Sequence, residues 1–284
     1  MVFSATVPLV APVVRSHRAA VRAVLDRLDD RLLVVVGPGL VQDAAAVPDY
    51  AAQLAEAAAR HAGQLLVVLD AQPDTADGGS AQGFALDVLR AGLPVAARTG
   101  SPGGAPALAA YAFADLRSAD VGAEPRLAAP VGYETRAGGD VVAAVEALRQ
   151  HAARRALLDR ADGDRCAHLV LRTEPHHPDH DPAATGAALA RLGAAGLPRR
   201  LLVAVSGHDP GRQRRVAASV ARQVGDGRRG IVGAVVPSFL HAGHQRTAAR
   251  RGVATAGPCL GLPDTVSVLD ALAVAVERRR LRDR

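Results

Sequence analysis

Short apolar runs alternate with amphipathic stretches along most of this chain, and that alternation limits the fold more than any other feature. Eight runs read as strands, at 32–36, 65–69, 94–98, 120–123, 128–133, 168–171, 201–205 and 231–236. Helical spacing occupies 50–61, 84–91, 108–116, 141–158, 184–195, 214–224 and 265–280. Upstream, residues 15–28 place Val21, Val24, Leu25 and Leu28 on one helical face. Alternating strands and helices predict parallel strands joined by right-handed crossovers. Eight such units close into a (β/α)8 TIM barrel, and 284 residues suit one domain of that kind. The expected organisation is α/β: an N-terminal extension and helix over 1–30, then the barrel over 31–284. The run LLVVV at 32–36 is the clearest strand, because it ends at Gly37-Pro38-Gly39 as a buried parallel strand entering a tight loop does.

Composition removes several function classes. The chain has no lysine, which excludes Schiff-base and pyridoxal phosphate chemistry. Hydrophobic residues make up 49% and aromatic residues 2%, so the core is built from alanine, valine and leucine. The net charge is +6, with much of the excess at Arg278, Arg279, Arg280, Arg282 and Arg284. So few aromatic residues leave little to stack on bases, and no nucleic-acid partner is expected. Cations at the end of a helix are favourable against its dipole. Cys166 and Cys259 are too few for a disulfide framework; they read as small core residues of a protein in a reducing cytoplasm. No apolar stretch reaches the roughly 18 residues of a membrane span, so no membrane partner is expected. The apolar start through Val14 lacks a basic leader, so no signal peptide is expected.

Several motifs follow one another in order. They are DDRLLVVVGP at 29–38, LRSAD at 116–120, PVGYETRAGGD at 130–140, HLVLR at 168–172, GIVGAVVPSFLHAGHQ at 230–245 and CLGLPDT at 259–265. Through these the chain resembles the metal-dependent class I family of DAHP (3-deoxy-7-phosphoheptulonate) synthases. The resemblance implies a barrel that condenses phosphoenolpyruvate with erythrose 4-phosphate, the entry to the shikimate pathway and aromatic biosynthesis. It also implies a Mn, Fe or Zn ion held by Cys, His, Glu and Asp from four strand ends. Homo-oligomers are common in the family, so a homo-oligomer is expected.

The chain departs from that pattern where the chemistry sits. Gly39 stands in place of the ligand Cys, Pro237 in place of the Glu, and Gly257 in place of the Asp. Phe239 replaces the His that neighbours the Glu, and His208 lies one place from the expected ligand. Glycine and proline side chains coordinate nothing, so the family's metal site is expected to be lost and no cofactor is predicted. Glu134 stands for a phosphoenolpyruvate-binding Lys, and Gln72 and Asp74 for a Lys and an Arg. Arg117 and Arg172 match family arginines and keep the capacity to grip a phosphate or carboxylate. Gln42, in place of a motif His, completes the expected substrate-binding set.

General acid–base candidates are His208, Glu134 and Asp43, with Asp43 equally readable as a loop cap. The stretch EPHHPDHD at 174–181 supplies His176, His177 and His180 as candidate ligands for a new metal site; an exposed polar loop is the bland alternative. Three functions compete. The first is a diverged enzyme acting on a small anionic substrate without the family's metal, in specialised metabolism. The second is a pseudoenzyme that binds a metabolite or a partner enzyme and regulates it. The third, an unaltered DAHP synthase, conflicts with the most residues.

Overall fold

The computed structural model describes residues 6–74, 78–98, 107–115, 129–135, 141–157, 166–172, 180–206 and 209–284. Eight parallel strands run in ring order: β1 (Leu32–Val41), β2 (Leu65–Pro73), β3 (Ala96–Arg98), β4 (Tyr111–Asp115), β5 (Val131–Glu134), β6 (His168–Arg172), β7 (Leu201–Ala204) and β8 (Ile231–Phe239). β1 pairs with both β2 and β8, and the Leu69–Val95 bridge closes the ring between β2 and β3. At that seam the Leu69 amide donates to the Pro94 carbonyl at 2.8 Å. A short strand β9 (Leu260–Gly261) adds to the end of β8. Helices α2 (Val47–Arg60), α3 (Gly78–Arg90), α4 (Val141–Leu157), α5 (Pro182–Ala194), α6 (Pro210–Gly225) and α7 (Leu262–Arg282) form the outer layer.

The strands are mostly apolar on both faces below the mouth because each face meets a different core. Leu32, Val34 and Val36 pack outward against the helices, whereas Leu33 and Val35 join Leu66, Val68, Tyr111, Phe113, Val170 and Leu202 inside the barrel. The N-terminal helix α1 (Thr6–Leu25) contributes Val21, Val24 and Leu25 to that inner cluster, so it closes the bottom of the barrel. Polar contacts hold it there. Arg18 Nε donates to the Ala109 carbonyl at 2.7 Å, and buried Arg200 donates to the Leu25 carbonyl at 2.7 Å. Leu28 does not belong to this face: α1 stops at Leu25 and Leu28 is exposed. At the far end of the chain, Arg280 pairs with Asp30 at 2.6 Å and Arg278 with Asp226 at 2.9 Å, so the basic end of α7 is an ion-paired surface.

One expected element is of the wrong type. Residues 108–116 spell an alanine-rich run that fits helical spacing, yet the chain forms β4 there. Leu108, Ala112 and Ala114 face outward, while Tyr111 and Phe113 face inward. With both faces buried, no polar alternation marks the strand, and the two aromatic residues are its only β signal. The strand expected at 120–123 lies outside the described residues.

The first loop shows why β1 ends in Gly-Pro-Gly. A Cβ at Gly37 would lie 2.0 Å from the Asp70 carbonyl oxygen, so only glycine lets β1 and β2 approach there. Gly39 sits at φ +73, in the left-handed region that glycine adopts without strain. The ladder between β1 and β2 slips between Val36 and Gly39, and β1 then runs on to Val41.

Candidate functional site

Strand alternation decides which side chains reach the upper, C-terminal mouth of the barrel. On β2, Leu66 and Val68 point inward, so Asp70 and Gln72 follow on the same face. By the same parity Arg98 follows Ala96 on β3, Glu134 follows Gly132 on β5, and Arg172 follows Val170 on β6. These residues form one chain of ion pairs. Arg98 Nη2 lies 2.7 Å from Asp70 Oδ2, and its Nη1 lies 3.1 Å from Glu134 Oε2. Arg172 Nη1 approaches the same Glu134 oxygen at 3.6 Å. The chain has a buried inner end and an open outer end: side-chain exposure along it is 4% for Asp70, 28% for Arg98, 12% for Glu134 and 48% for Arg172.

The inner end is firmly built. Gln72 Nε2 donates to Asp70 Oδ1 at 3.2 Å, and Gln72 Oε1 accepts the Arg98 amide at 3.1 Å. The Arg98 guanidinium also stacks on the Phe113 ring, 4.4 Å from its centroid, adding a cation–π attraction. Burial alone would lower the Arg98 pKa, but Asp70 and Glu134 outweigh it and hold the guanidinium above its ordinary value. Below, Tyr111 bonds His168 Nε2 at 2.9 Å. His168 Nδ1 lies 2.8 Å from the Cys166 carbonyl, an acceptor; Nδ1 therefore carries the proton and Nε2 accepts from Tyr111. Burial, reinforced by Glu134, pushes the Tyr111 hydroxyl well above a normal phenol, which keeps it a donor.

Among the expected site residues, the structure brings Glu134 and Arg172 together. The Arg172 amide donates to Thr135 Oγ1 at 2.9 Å, fixing the backbone at the outer end. Gln42 and Asp43 stand apart from this group. Gln42 is exposed and reaches Asp74 at 3.4 Å, and Asp43 Oδ2 accepts the Gly252 amide at 2.8 Å, tying the loop after β1 to the loop after β8. Asp43 thus performs the loop-cap role. Asp209 is likewise a helix cap, accepting the Arg212 amide at 2.8 Å at the start of α6. His208, Arg117, His176 and His177 lie outside the described residues. His180 sits in the outer layer, where its carbonyl is held by Gln223 Nε2 at 2.7 Å. Asp70 and Arg98 were not anticipated. Their signal was a charged residue at the end of an otherwise apolar strand, on its inward parity.

The residues at the family's metal positions do not fit a divalent cation. Gly39 presents no donor, and a Cβ there would meet only the Arg98 side chain, at 3.9 Å. Pro237 has no ligating atom. Phe239 is buried in the outer core, with its ring edge-on to Tyr50 at 5.5 Å between centroids. Gly257 has nothing within 4 Å of its Cβ position. Cys259 does not substitute: burial, and then Asp70, push its thiol up to about 12, away from the thiolate a metal requires. Among the described residues no group of three or more His, Cys, Asp or Glu is placed to hold a metal ion. No described helix is long and apolar enough to cross a membrane.

No family model matches the chain. It is nevertheless similar to curated proteins along most of its length. It is 28% identical to the Trp-sensitive phospho-2-dehydro-3-deoxyheptonate aldolase of Enterobacter agglomerans, covering 96% of this chain and 92% of that protein. It is 27% identical to the phospho-2-dehydro-3-deoxyheptonate aldolase of Corynebacterium glutamicum, covering 89% and 83%. Among solved structures, the corresponding aldolase of Francisella tularensis superposes with a TM-score of 0.82 at 22% identity, covering 94% of this chain and 92% of that one.

Proposed function

We propose that this chain, a divergent member of the DAHP synthase family, binds a small phosphate- or carboxylate-bearing metabolite at the barrel mouth and acts on it without the family's metal. One observation carries the reading: the ion-pair chain ends in Arg172, a half-exposed guanidinium whose nearest carboxylate among the described residues is 3.6 Å away. Arg98 is occupied by two carboxylates, so Arg172 is the described group with room to accept an anion. A planar guanidinium grips phosphate or carboxylate through two parallel hydrogen bonds. Glu134 touches both guanidinium groups, and its proposed role is to position them and to serve as the acid–base group of the mouth. His208 and Arg117 remain proposed as partners in that chemistry.

Burial of two carboxylates and an arginine is a poor way to make a stable barrel. Well-packed apolar side chains of similar volume are generally at least as stabilising. The mouth nevertheless keeps its charges, which supports a ligand-handling role. A second reading, a catalytically inactive barrel that binds the metabolite and regulates a partner enzyme, is favoured by the loss of ligating atoms at Gly39, Pro237 and Gly257.

Thermal unfolding with phosphoenolpyruvate as the probe, with and without Mn²⁺, tests the proposal. A concentration-dependent rise in Tm that disappears in Arg172→Gln supports it. No rise in the unaltered protein would sink it for this ligand class. A rise that requires Mn²⁺ would overturn the metal-independent part.

A further inference from the structure

A second concave site lies in the outer layer, where the start of α5 meets α6. The cleft encloses about 470 Å³, within the roughly 300–1,000 Å³ of small-molecule sites. His180 and Pro182 form one wall, and Arg212, Arg215, Ser219 and Arg222 form the other. Spacings of three, four and three residues put these four α6 positions on one face of the helix. A rise of 1.5 Å per residue sets Arg215 and Arg222 about 10 Å apart along it. Like charges on one helix face repel unless something between them compensates.

The other faces of the neighbouring helices treat arginine differently. Arg214 pairs with Asp264 at 2.7 Å and Arg278 with Asp226 at 2.9 Å. Arg215 and Arg222 are exposed and make no ion pair among the described residues. Among the described residues the one carboxylate lining the cleft, Asp181, is engaged as the cap of α5, accepting the Ala184 amide at 2.7 Å. The walls are also held in place from behind. Ser219 Oγ and Gln223 Nε2 both donate to the His180 carbonyl, at 3.2 and 2.7 Å, and Gln223 Oε1 accepts from Thr185 Oγ1 at 2.6 Å. Ser219, Gln223 and Thr185 are buried, so the cleft does not need to form on binding. Ala218 and the Pro182 wall supply an apolar floor between the charges, backed by fully buried Val216.

We propose that this cleft is a second ligand site, separate from the barrel mouth, for a small phosphate ester. Arg215 and Arg222 would supply the anion contacts, as planar guanidinium groups do for phosphate, and the floor would take the apolar body of the ester. A phosphate ester fits better than an acidic peptide because the cleft is a bounded concavity of about 470 Å³, the size of a small-molecule site. None of the lining residues belongs to the mouth, so the site stands independently of the function proposed there.

The test is a titration of the full chain with inorganic phosphate at fixed ionic strength, followed by the amide resonances of Ala184 and Ser219. Saturable shifts are expected. In Arg215→Ala/Arg222→Ala the affinity should fall roughly tenfold or more, since each charge-assisted contact is worth about that factor. It should stay within about twofold in Arg172→Gln, which alters only the mouth, and in Arg214→Ala, which removes the same charge from another face of α6. Equal binding by the double variant would overturn the proposal. So would an equal loss in Arg214→Ala, which would show that net charge alone attracts phosphate, or shifts that grow without saturating. Loss in Arg172→Gln alone would assign phosphate to the mouth and would also overturn it.

Discussion

Replacing Arg98 with methionine gives the sharpest test of the mouth. The substitution keeps much of the aliphatic stem over Phe113 and removes the positive charge between Asp70 and Glu134. Two unit charges 4 Å apart attract by about 4 kcal/mol at an effective dielectric near 20, and Arg98 makes closer contacts than that, at 2.7 and 3.1 Å. Asp70 is 4% exposed, so water cannot replace the lost partner there. Removing one member of a buried pair costs about 3–5 kcal/mol because it leaves a buried charge uncompensated. Urea unfolding should show a loss of that size at pH 7.5. Adding Asp70→Asn and Glu134→Gln to Arg98→Met should recover much of the loss at pH 7.5. A loss below about 1 kcal/mol at pH 7.5 would refute the view that the charges depend on one another.

Other substitutions test neighbouring claims. Glu134→Lys, which introduces the lysine that DAHP synthases carry at that position, should not strengthen phosphoenolpyruvate binding. It would place a third cation against Arg98 and Arg172 and lower stability by about 2–4 kcal/mol, read from the urea midpoint. Gly39→Cys returns the family's missing thiol, but at φ +73 it should cost about 1–2 kcal/mol. Mn²⁺ should give that variant no rise in Tm, because Pro237 and Gly257 still provide no ligands. Cys259, with its thiol pushed up to about 12 by burial and then by Asp70, should resist iodoacetamide in the native protein at pH 8 and react promptly in urea. Tyr111→Phe removes the bond to His168 and should cost about 1 kcal/mol in the same unfolding assay.

The barrel was legible because its signal is periodic and redundant. Seven of the eight strands fall where apolar runs predict them, and β1 announces its own end through Gly37, which no larger residue can replace beside Asp70. The fourth strand was misread because burial on both faces erases the polar alternation that separates strand from helix, and alanine favours helix in isolation. The mouth was only half legible. Arg172 and Glu134 lie in motifs shared with DAHP synthases, but Asp70 and Arg98 lie in none of those motifs, and their pairing joins residues 28 positions apart. Only ring closure between β2 and β3 puts them side by side. Gln42 and Asp43 illustrate the converse. They lie inside the most informative motif, yet their side chains serve the loops, because past Gly39 the strand has risen beyond the ring of inward-facing charges.

The charge balance of the mouth also limits what kind of binding it supports. Asp70 and Glu134 are matched by Arg98 and Arg172, so this described group is neutral before any ligand arrives. An anion that binds Arg172 therefore competes with Glu134 and does not enter a site of surplus positive charge. That competition is mild, because the Arg172–Glu134 contact is long at 3.6 Å and Arg172 is half exposed. Arg98 cannot follow, since moving it would strip a partner from buried Asp70. The mouth is thus divided into a fixed inner pair that holds its shape and an outer guanidinium whose single long contact among the described residues leaves it open to a second partner. Half-exposed charge pairs are screened by salt, whereas the inner pair is not. Binding at Arg172 should accordingly weaken with ionic strength while the stability contributed by Arg98 does not. That separation would distinguish a working anion site from an ion-pair network retained only for the fold.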